Sequence, residues 1–347
     1  MNRSLRDGVS KRGLIWYGVT GLLFAGLLYF ADVDQFLTAL GQVDVPLFSI
    51  AVGVGFTSLL VWAWVWYRFF GQLEIESSVS QTVRMFLTGH FLNSITPLGQ
   101  FGGEPIMAYI ISDTTGSDYE NSLACVVSSD IVNALPFFTF PIGGILYLSV
   151  VGTVQGFLVE VGLVAVSILT VGSVLAYFLW SDTGRLGDFL ITVLDLLEDR
   201  IGRAGDVFES LRGSVDKTVT SFEKAGSDPR FLLETATISH LAILAQIVSL
   251  YFVFLAMEID PRVVPLYFIV TLSTIATLSP TPGGSGTYEA AFSALMTVFY
   301  SVDFATALSA AVLFRLTTYW PGILVGFVSF LTLDSQDNGD ENSQQVG

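Results

Sequence analysis

Two short strings in this chain hold the residue types from which a binding site can be built. Ser94-x-Thr96-Pro97-x-Gly99-x4-Glu104 and Ser279-x-Thr281-Pro282-x-Gly284-x4-Glu289 repeat the same residues at the same spacing, each inside an otherwise apolar stretch. Proline removes a backbone donor and stops the incoming helix. The glycines, Gly99 and Gly103 in the first string and Gly283, Gly284 and Gly286 in the second, permit turns and close approach of helices. A second helix is predicted after each break, with Pro105 suited to the first position of one and Gly286 or Thr287 to the cap of the other. The free N–H groups of such half-helix N-termini can hold an anion such as a phosphate. A carboxylate at the same place, Glu104 or Glu289, caps its own helix and offsets the positive end of the dipole. The two roles are compatible, because a carboxylate that caps an empty site can yield to phosphate or titrate.

The repeat extends past the breaks. The same offset places Leu123 on Leu308, Val127 on Val312, Asp130 on Arg315 and Pro136 on Pro321. A charge at mid-helix in a membrane costs roughly 2.5–3.5 kcal/mol on insertion scales, so Asp130 and Arg315 each require a partner or an aqueous cavity. Their pairing with each other is the economical expectation, either as a lock between the halves or as a headgroup or coupling site. Arg315 suits phosphate, since its guanidinium forks onto oxyanions. His90, Asn93 and Asn133 lie at similar depth. The candidate substrate-binding set is therefore Asn93, Thr96, Pro97, Gly99, Gly103, Glu104, Asp130, Pro282, Gly283, Gly284, Gly286, Glu289 and Arg315.

Other chemistries find little support. Two histidines far apart give no transition-metal site, and His240 reads as a satisfied interhelical donor. The string Pro282-Gly-Gly-Ser-Gly lacks the Lys-Ser/Thr of a phosphate-binding loop, and no Gly-x-Ser-x-Gly elbow occurs. No catalytic residue, metal or cofactor is implied. Asp32-Val33-Asp34 is the exception: an Asp-x-Asp beside a membrane span can hold a divalent metal for a glycosyltransferase, although a solvated loop explains it as well.

These residues must be positioned by membrane helices. Of 347 residues 52% are hydrophobic and 13% charged, with mean hydropathy +0.65, a composition of integral membrane proteins. The net charge of -16 with three lysines suggests a high-salt cytoplasm, as in halophilic archaea, and argues against nucleic acid as partner. Cys125, alone in an apolar segment, excludes a disulfide framework. Full spans are predicted at Leu14–Ala31, Pro46–Tyr67, Ser122–Val150, Val154–Trp180, Phe231–Met257 and Phe304–Leu333, with broken segments at Val83–Ser112 and Val264–Tyr300. The cluster Trp62, Trp64, Trp66 and Tyr67 reads as an interfacial aromatic belt.

Seven of the fifteen basic residues fall between Ser181 and Arg230. Two apolar stripes run through that region, one from Leu186 to Ile201 and one over Phe208, Leu211, Val215, Val219 and Phe222. They are read as amphipathic helices that pack on the spans or lie on the membrane. From Asp334 a polar acidic tail is expected to be disordered. The basic start and the 181–230 region place both in the cytoplasm. Counting crossings then makes both broken segments re-entrant. Each half holds three crossings, an odd number, so the halves are inverted relative to each other, as in transporters. The expected fold is an all-α polytopic membrane protein: one membrane domain over residues 1–333, with repeats at about 14–150 and 154–333, six full spans and two re-entrant hairpins.

The stretch from Asn93 to Glu104, and above all Ser279-Pro-Thr-Pro-Gly-Gly-Ser-Gly-Thr-Tyr-Glu289, resembles the paired motifs of the flippase-like family. This is the transmembrane domain of lysylphosphatidylglycerol synthases, also found alone or fused to archaeal glycosyltransferases. The likeness covers roughly residues 14 to 331. It implies translocation of an amphipathic lipid between leaflets without nucleotide hydrolysis, with no aminoacyl-transferase or glycosyltransferase domain attached. One departure is that Ser128-Ser-Asp-Ile-Val-Asn133 stands where a Glu-Arg pair is expected, so a basic headgroup contact is not carried over there. The resulting expectation is a plasma-membrane flippase for an anionic lipid or a polyprenyl (dolichyl) phosphate-linked sugar, serving surface glycosylation or lipid homeostasis. A glycosyltransferase or other membrane partner is compatible with it. The alternatives are a membrane glycosyltransferase using Asp32 and Asp34, and a membrane scaffold acting through the 186–222 stripes.

Overall fold

The computed structural model describes residues 33–95, 103–151, 156–180, 191–192 and 205–344, and every element among them is helical. In chain order these are α1 (Val33–Gly41), α2 (Val45–Gln72), α3 (Val79–Ile95), α4 (Glu104–Thr115), α5 (Tyr119–Val151), α6 (Gly156–Trp180), α7 (Gly205–Gly226), α8 (Pro229–Ala256), α9 (Val263–Ile275), α10 (Thr287–Phe299) and α11 (Phe304–Gln344). Five of them are long and apolar enough to cross a bilayer: α2, α5, α6 from Leu158, α8, and α11 as far as Leu333. The predicted first span, Leu14–Ala31, and the stripe from Leu186 to Ile201 lie outside the described residues.

The two halves are built by the same local rules. Asp44 begins α2 by accepting a hydrogen bond from Leu47 N at 2.9 Å, and Asp228 begins α8 by accepting from Arg230 N at 2.9 Å. Each is followed by a proline in the first turn, where no N–H is needed. Both helices end in a Schellman turn. Ile75 N donates to Phe70 O at 2.8 Å, and Ile259 N to Phe254 O at 2.9 Å. The left-handed residue in each turn is a glutamate, Glu74 and Glu258, both at φ 58. Such a residue is usually glycine, so a shared exception at equivalent positions marks an internal duplication.

Packing repeats as well. Helices α2 and α8, counterparts in the two halves, form the most extensive interface. The hairpin helix α3 packs on α11, while its counterpart α9 packs on α5; α2 packs on α11 and α8 on α5. Each half thus lends the first arm of its hairpin to the last helix of the other, while the second arm, α4 or α10, packs on the last helix of its own half. The α3–α11 approach depends on Gly326, where a Cβ atom would stand 2.3 Å from the carbonyl oxygen of Leu87. Small residues at such a crossing let backbones meet where no water is expelled between helices.

Two expectations change and one pair of alternatives narrows. The tryptophan cluster is not a belt: Trp66 is 4% exposed in a core with Phe69 and Phe86, Trp62 turns to an internal cavity, and only Trp64, 40% exposed, faces outward. Residues four apart share a helix face, and the middle one points away. Of the two placements expected for the second stripe of the basic region, packing on the protein is the one seen at Phe222. Phe222 and Ala225 of α7 are buried in a core with Phe69 and Phe231, and Ser221 Oγ donates to Asn121 Oδ1 at 2.6 Å. Finally, α11 continues as helix to Gln344, where a tail without regular structure is expected from Asp334. No proline follows Pro321, so a started helix meets no strong stop.

Candidate functional site

The second break is described throughout. Helix α9 stops at Ile275 and tightens into a 3-10 turn at Ala276–Leu278. A further turn at Pro282–Gly284 leads to Gly286, which caps α10. The tip is closed by its own polar groups. The Thr287 hydroxyl bonds the carbonyls of Ala276 (3.0 Å) and Gly284 (2.9 Å), and lies 2.6 Å from the hydroxyl of Ser279. Gly283 sits at φ 55, and a Cβ there would lie 2.0 Å from the Tyr319 hydroxyl. Only glycine satisfies both constraints.

Glu289 plays two parts at this tip. Its Oε2 accepts from the N–H of Gly286 at 2.7 Å, capping α10, and its Oε1 accepts from Arg315 Nη1 at 2.9 Å. The side chains are 6% and 5% exposed, so this is a buried ion pair. A further donor and the face of the guanidinium are also occupied. Nη2 donates to Gly283 O at 2.9 Å, and Cζ lies 3.6 Å from the centroid of Tyr319 and 5.2 Å from that of Tyr288. Burial of two charges is tolerated when pairing and hydrogen bonds compensate the loss of water, and here both are supplied. The expected Asp130–Arg315 pair is therefore not formed. Equivalence under the repeat does not bring two residues together, and Arg315 instead reaches the re-entrant helix of its own half.

The described residues that flank the first break differ in charge from their counterparts in the second half. Helix α4 begins at Glu104 with Pro105 in its first turn, and Gly103 makes no side-chain cap. Asp130 stands on α5 where Arg315 stands on α11. Neither Glu104 nor Asp130 forms an ion pair or hydrogen bond among the described residues. Both line an internal cavity of about 310 Å³ that also takes in Asn93, Gly283 and Arg315. Trp62, Trp66, His90, Asn133, Gln246, Tyr288 and Tyr319 are among its other polar and aromatic lining residues. Nε2 of His90 and Oδ1 of Asn93 and Asn133 are shielded from solvent without a hydrogen-bond partner. Glu104 and Asp130 also line a second space, a groove of about 480 Å³ whose other walls are Pro105, Leu123, Val127, Ile131 and Ala134. The two carboxylates are shared by this cavity, with its several polar side chains, and the apolar groove.

Of the predicted set, Asn93, Glu104, Asp130, Gly283 and Arg315 line the cavity, and Glu289 touches it through Arg315. Pro282, Gly284 and Gly286 shape the second tip, and Gly103 is buried at the start of α4. Thr96, Pro97 and Gly99 fall outside the described residues, as does Asp32. Asp34 is exposed at the start of α1. His240 behaves as expected: Nδ1 faces the carbonyl of Ala236 at 2.7 Å and Nε2 lies 2.8 Å from the Thr139 hydroxyl. Sequence reasoning missed Tyr288, Tyr319 and Gln246. Tyr319 carried a signal, since it lies one turn beyond Arg315 on the same helix face.

The sequence profile described as the lysylphosphatidylglycerol synthase TM region matches residues 15–326. The chain belongs to this family. A UPF0104 membrane protein of Pyrococcus horikoshii is 26% identical over 331 residues, covering 93% of this chain and 97% of the relative. Two UPF0104 membrane proteins of Methanothermobacter thermautotrophicus are each 24% identical, over 322 and 318 residues. They cover 88% and 89% of this chain, and 90% and 89% of their own lengths. The likeness thus extends over the described helices and both re-entrant hairpins, in a multi-pass membrane protein.

Proposed function

We propose that the protein moves an amphipathic lipid between membrane leaflets without altering it chemically. The observation that carries this reading is the junction at Glu104 and Asp130, which line both a cavity holding several polar and charged side chains and an apolar groove. A lipid has this division of character: its headgroup needs hydrogen-bonding partners at membrane depth, and its chains need an apolar path alongside. The cargo that fits best is an anionic lipid or a polyprenyl (dolichyl) phosphate-linked sugar. Arg315 offers a planar fork and the α10 N-terminus offers free backbone donors, once Glu289 is released or shared. Irregular backbone at the second tip, placed against the cavity through Thr277 and Gly283, supports the transporter reading. The sequence-based orientation, with the N-terminus in the cytoplasm, forms part of the same proposal.

The test is a leaflet-sidedness assay in proteoliposomes, using a fluorescent phosphatidylglycerol and a sugar-tagged polyprenyl phosphate. The reading expects wild-type protein to equilibrate at least one of these faster than empty vesicles, and recovered lipid to be chemically unchanged. Movement no faster than in empty vesicles for both lipids sinks it.

A further inference from the structure

The two halves place a glutamate at equivalent re-entrant helices but differ in what faces it. In the second half Glu289 meets the guanidinium of Arg315 at 2.9 Å. In the first half the position of that arginine is Asp130, and Glu104 meets no cation among the described residues. Since Glu289 cancels Arg315, the cavity keeps two uncompensated carboxylates. His90 does not offset them, because its Nε2 faces no acceptor and suits a neutral ring. An anionic headgroup would add a third negative charge in a medium of low dielectric, where like charges repel strongly.

A second observation points the same way. Oδ1 of Asn93 and Oδ1 of Asn133 line this cavity, shielded from solvent and without any donor. A buried acceptor left unpaired costs about 1–3 kcal/mol. Two carboxylates and two amide oxygens therefore line one cavity. Such an all-oxygen set suits a hard cation or an ammonium group, and suits transition metals poorly.

We propose that Glu104, Asp130, Asn93 and Asn133 form a site for one monovalent cation, and that an anionic headgroup enters the cavity only when this site is filled. The cation is either an alkali ion from solution or an ammonium carried on the headgroup itself. The lipid half of the statement rests on the function proposed above; the cation site stands without it. The missing guanidinium of the first half is replaced by a positive charge that can come and go.

Trp62 and Trp66 line the same cavity and report on it. The full chain, purified in detergent micelles, is titrated with NaCl, KCl or methylammonium chloride against N-methyl-D-glucamine chloride at constant ionic strength. A saturable change in tryptophan fluorescence is expected with the small cations and absent with the bulky one. Asp130→Asn should weaken it at least tenfold. Asp130→Arg, which copies the arrangement of the second half, should abolish it. Thermal unfolding of each variant shows that it is folded, and Glu104→Gln serves if an Asp130 variant is not. Fluorescence titrations that coincide for wild type and folded Asp130→Asn overturn the site and leave lipid movement untouched.

Proteoliposomes separate the two sources. An alkali ion from solution requires phosphatidylglycerol movement to depend on Na⁺ or K⁺. A headgroup ammonium requires an amine-bearing lipid to move at the same rate in N-methyl-D-glucamine, with phosphatidylglycerol left behind. Phosphatidylglycerol movement independent of every cation overturns the coupling. Retained cation binding without movement of any lipid overturns the proposed function instead.

Discussion

Neutralising equivalent glutamates of the two halves should have opposite effects on stability. Glu289→Gln keeps an acceptor for the Gly286 N–H but removes the charge that faces Arg315. The guanidinium is then left with the Gly283 carbonyl, the Ser285 hydroxyl at 3.4 Å and two aromatic faces, at 5% side-chain exposure. Removing one partner of a buried pair typically costs about 3–5 kcal/mol, because the other charge stays buried and uncompensated. The remaining contacts place this case toward the lower end. The double change Glu289→Gln/Arg315→Gln removes both charges and should recover much of the loss, since replacing a whole buried pair is often close to neutral. Glu104→Gln removes a charge that has no cationic partner, and should be neutral or stabilising. Unfolding of wild type, Glu289→Gln, Arg315→Gln and the double variant in micelles, followed by near-UV circular dichroism, gives the four free energies of the cycle, and Glu104→Gln is measured in the same way. A Glu289→Gln loss no larger than that of Glu104→Gln, or a double variant as unstable as the sum of its parts, would refute the ion-pair argument.

Other outcomes follow from particular residues. Gly283→Ala puts a methyl where the Tyr319 hydroxyl stands, at a backbone angle that alanine resists; a loss of about 1–3 kcal/mol is expected, partly recovered by Tyr319→Ala in the same unfolding assay. Glu258→Gly relieves a left-handed glutamate in a Schellman turn and should raise stability by about 1 kcal/mol, seen as a higher unfolding midpoint. Asp303 caps α11: burial opposes its ionisation, but hydrogen bonds from the Thr306 N–H (2.9 Å) and hydroxyl (2.8 Å) outweigh that and hold it below the usual carboxylate range. Its stabilisation is complete above the unfolded-state value and is lost as pH falls through the lower folded-state value. Asp303→Ala should therefore cost about 1 kcal/mol at neutral pH, and the gap to wild type should close in acid.

Much of this architecture was legible because membranes impose few solutions. Apolar runs near Pro46, Ser122, Phe231 and Phe304 become helices, and the strings at Pro97 and Pro282 mark where helices must break. The offset that carries Glu104 onto Glu289 also carries Glu74 to within a residue of Glu258 and one hairpin onto the other. What sequence could not supply is direction. Hydropathy does not tell an inward Trp66 from an outward Trp64, since both suit a membrane helix. Nor does equivalence tell contact: Asp130 and Arg315 occupy matching places, and matching places in a duplicated fold need not touch. Arg315 finds Glu289 because the re-entrant helix α10 lies against α11 within the same half.

The difference between the halves is the more informative result. A duplicated fold with identical tips would offer its cargo two equal resting places. Here one tip is closed on itself, with its arginine neutralised and its turn tied by Ser279, Thr281 and Thr287. Beside the other break, Glu104 and Asp130 have no partner among the described residues and line an apolar groove. An uncompensated charge at membrane depth is costly enough that a folded protein keeps it only where water or a ligand relieves it. A ligand that relieves it binds one state of the protein more tightly than another, and only such a difference can shift a conformational equilibrium. The first half is thus the one built to respond, and the second the one built to hold its shape.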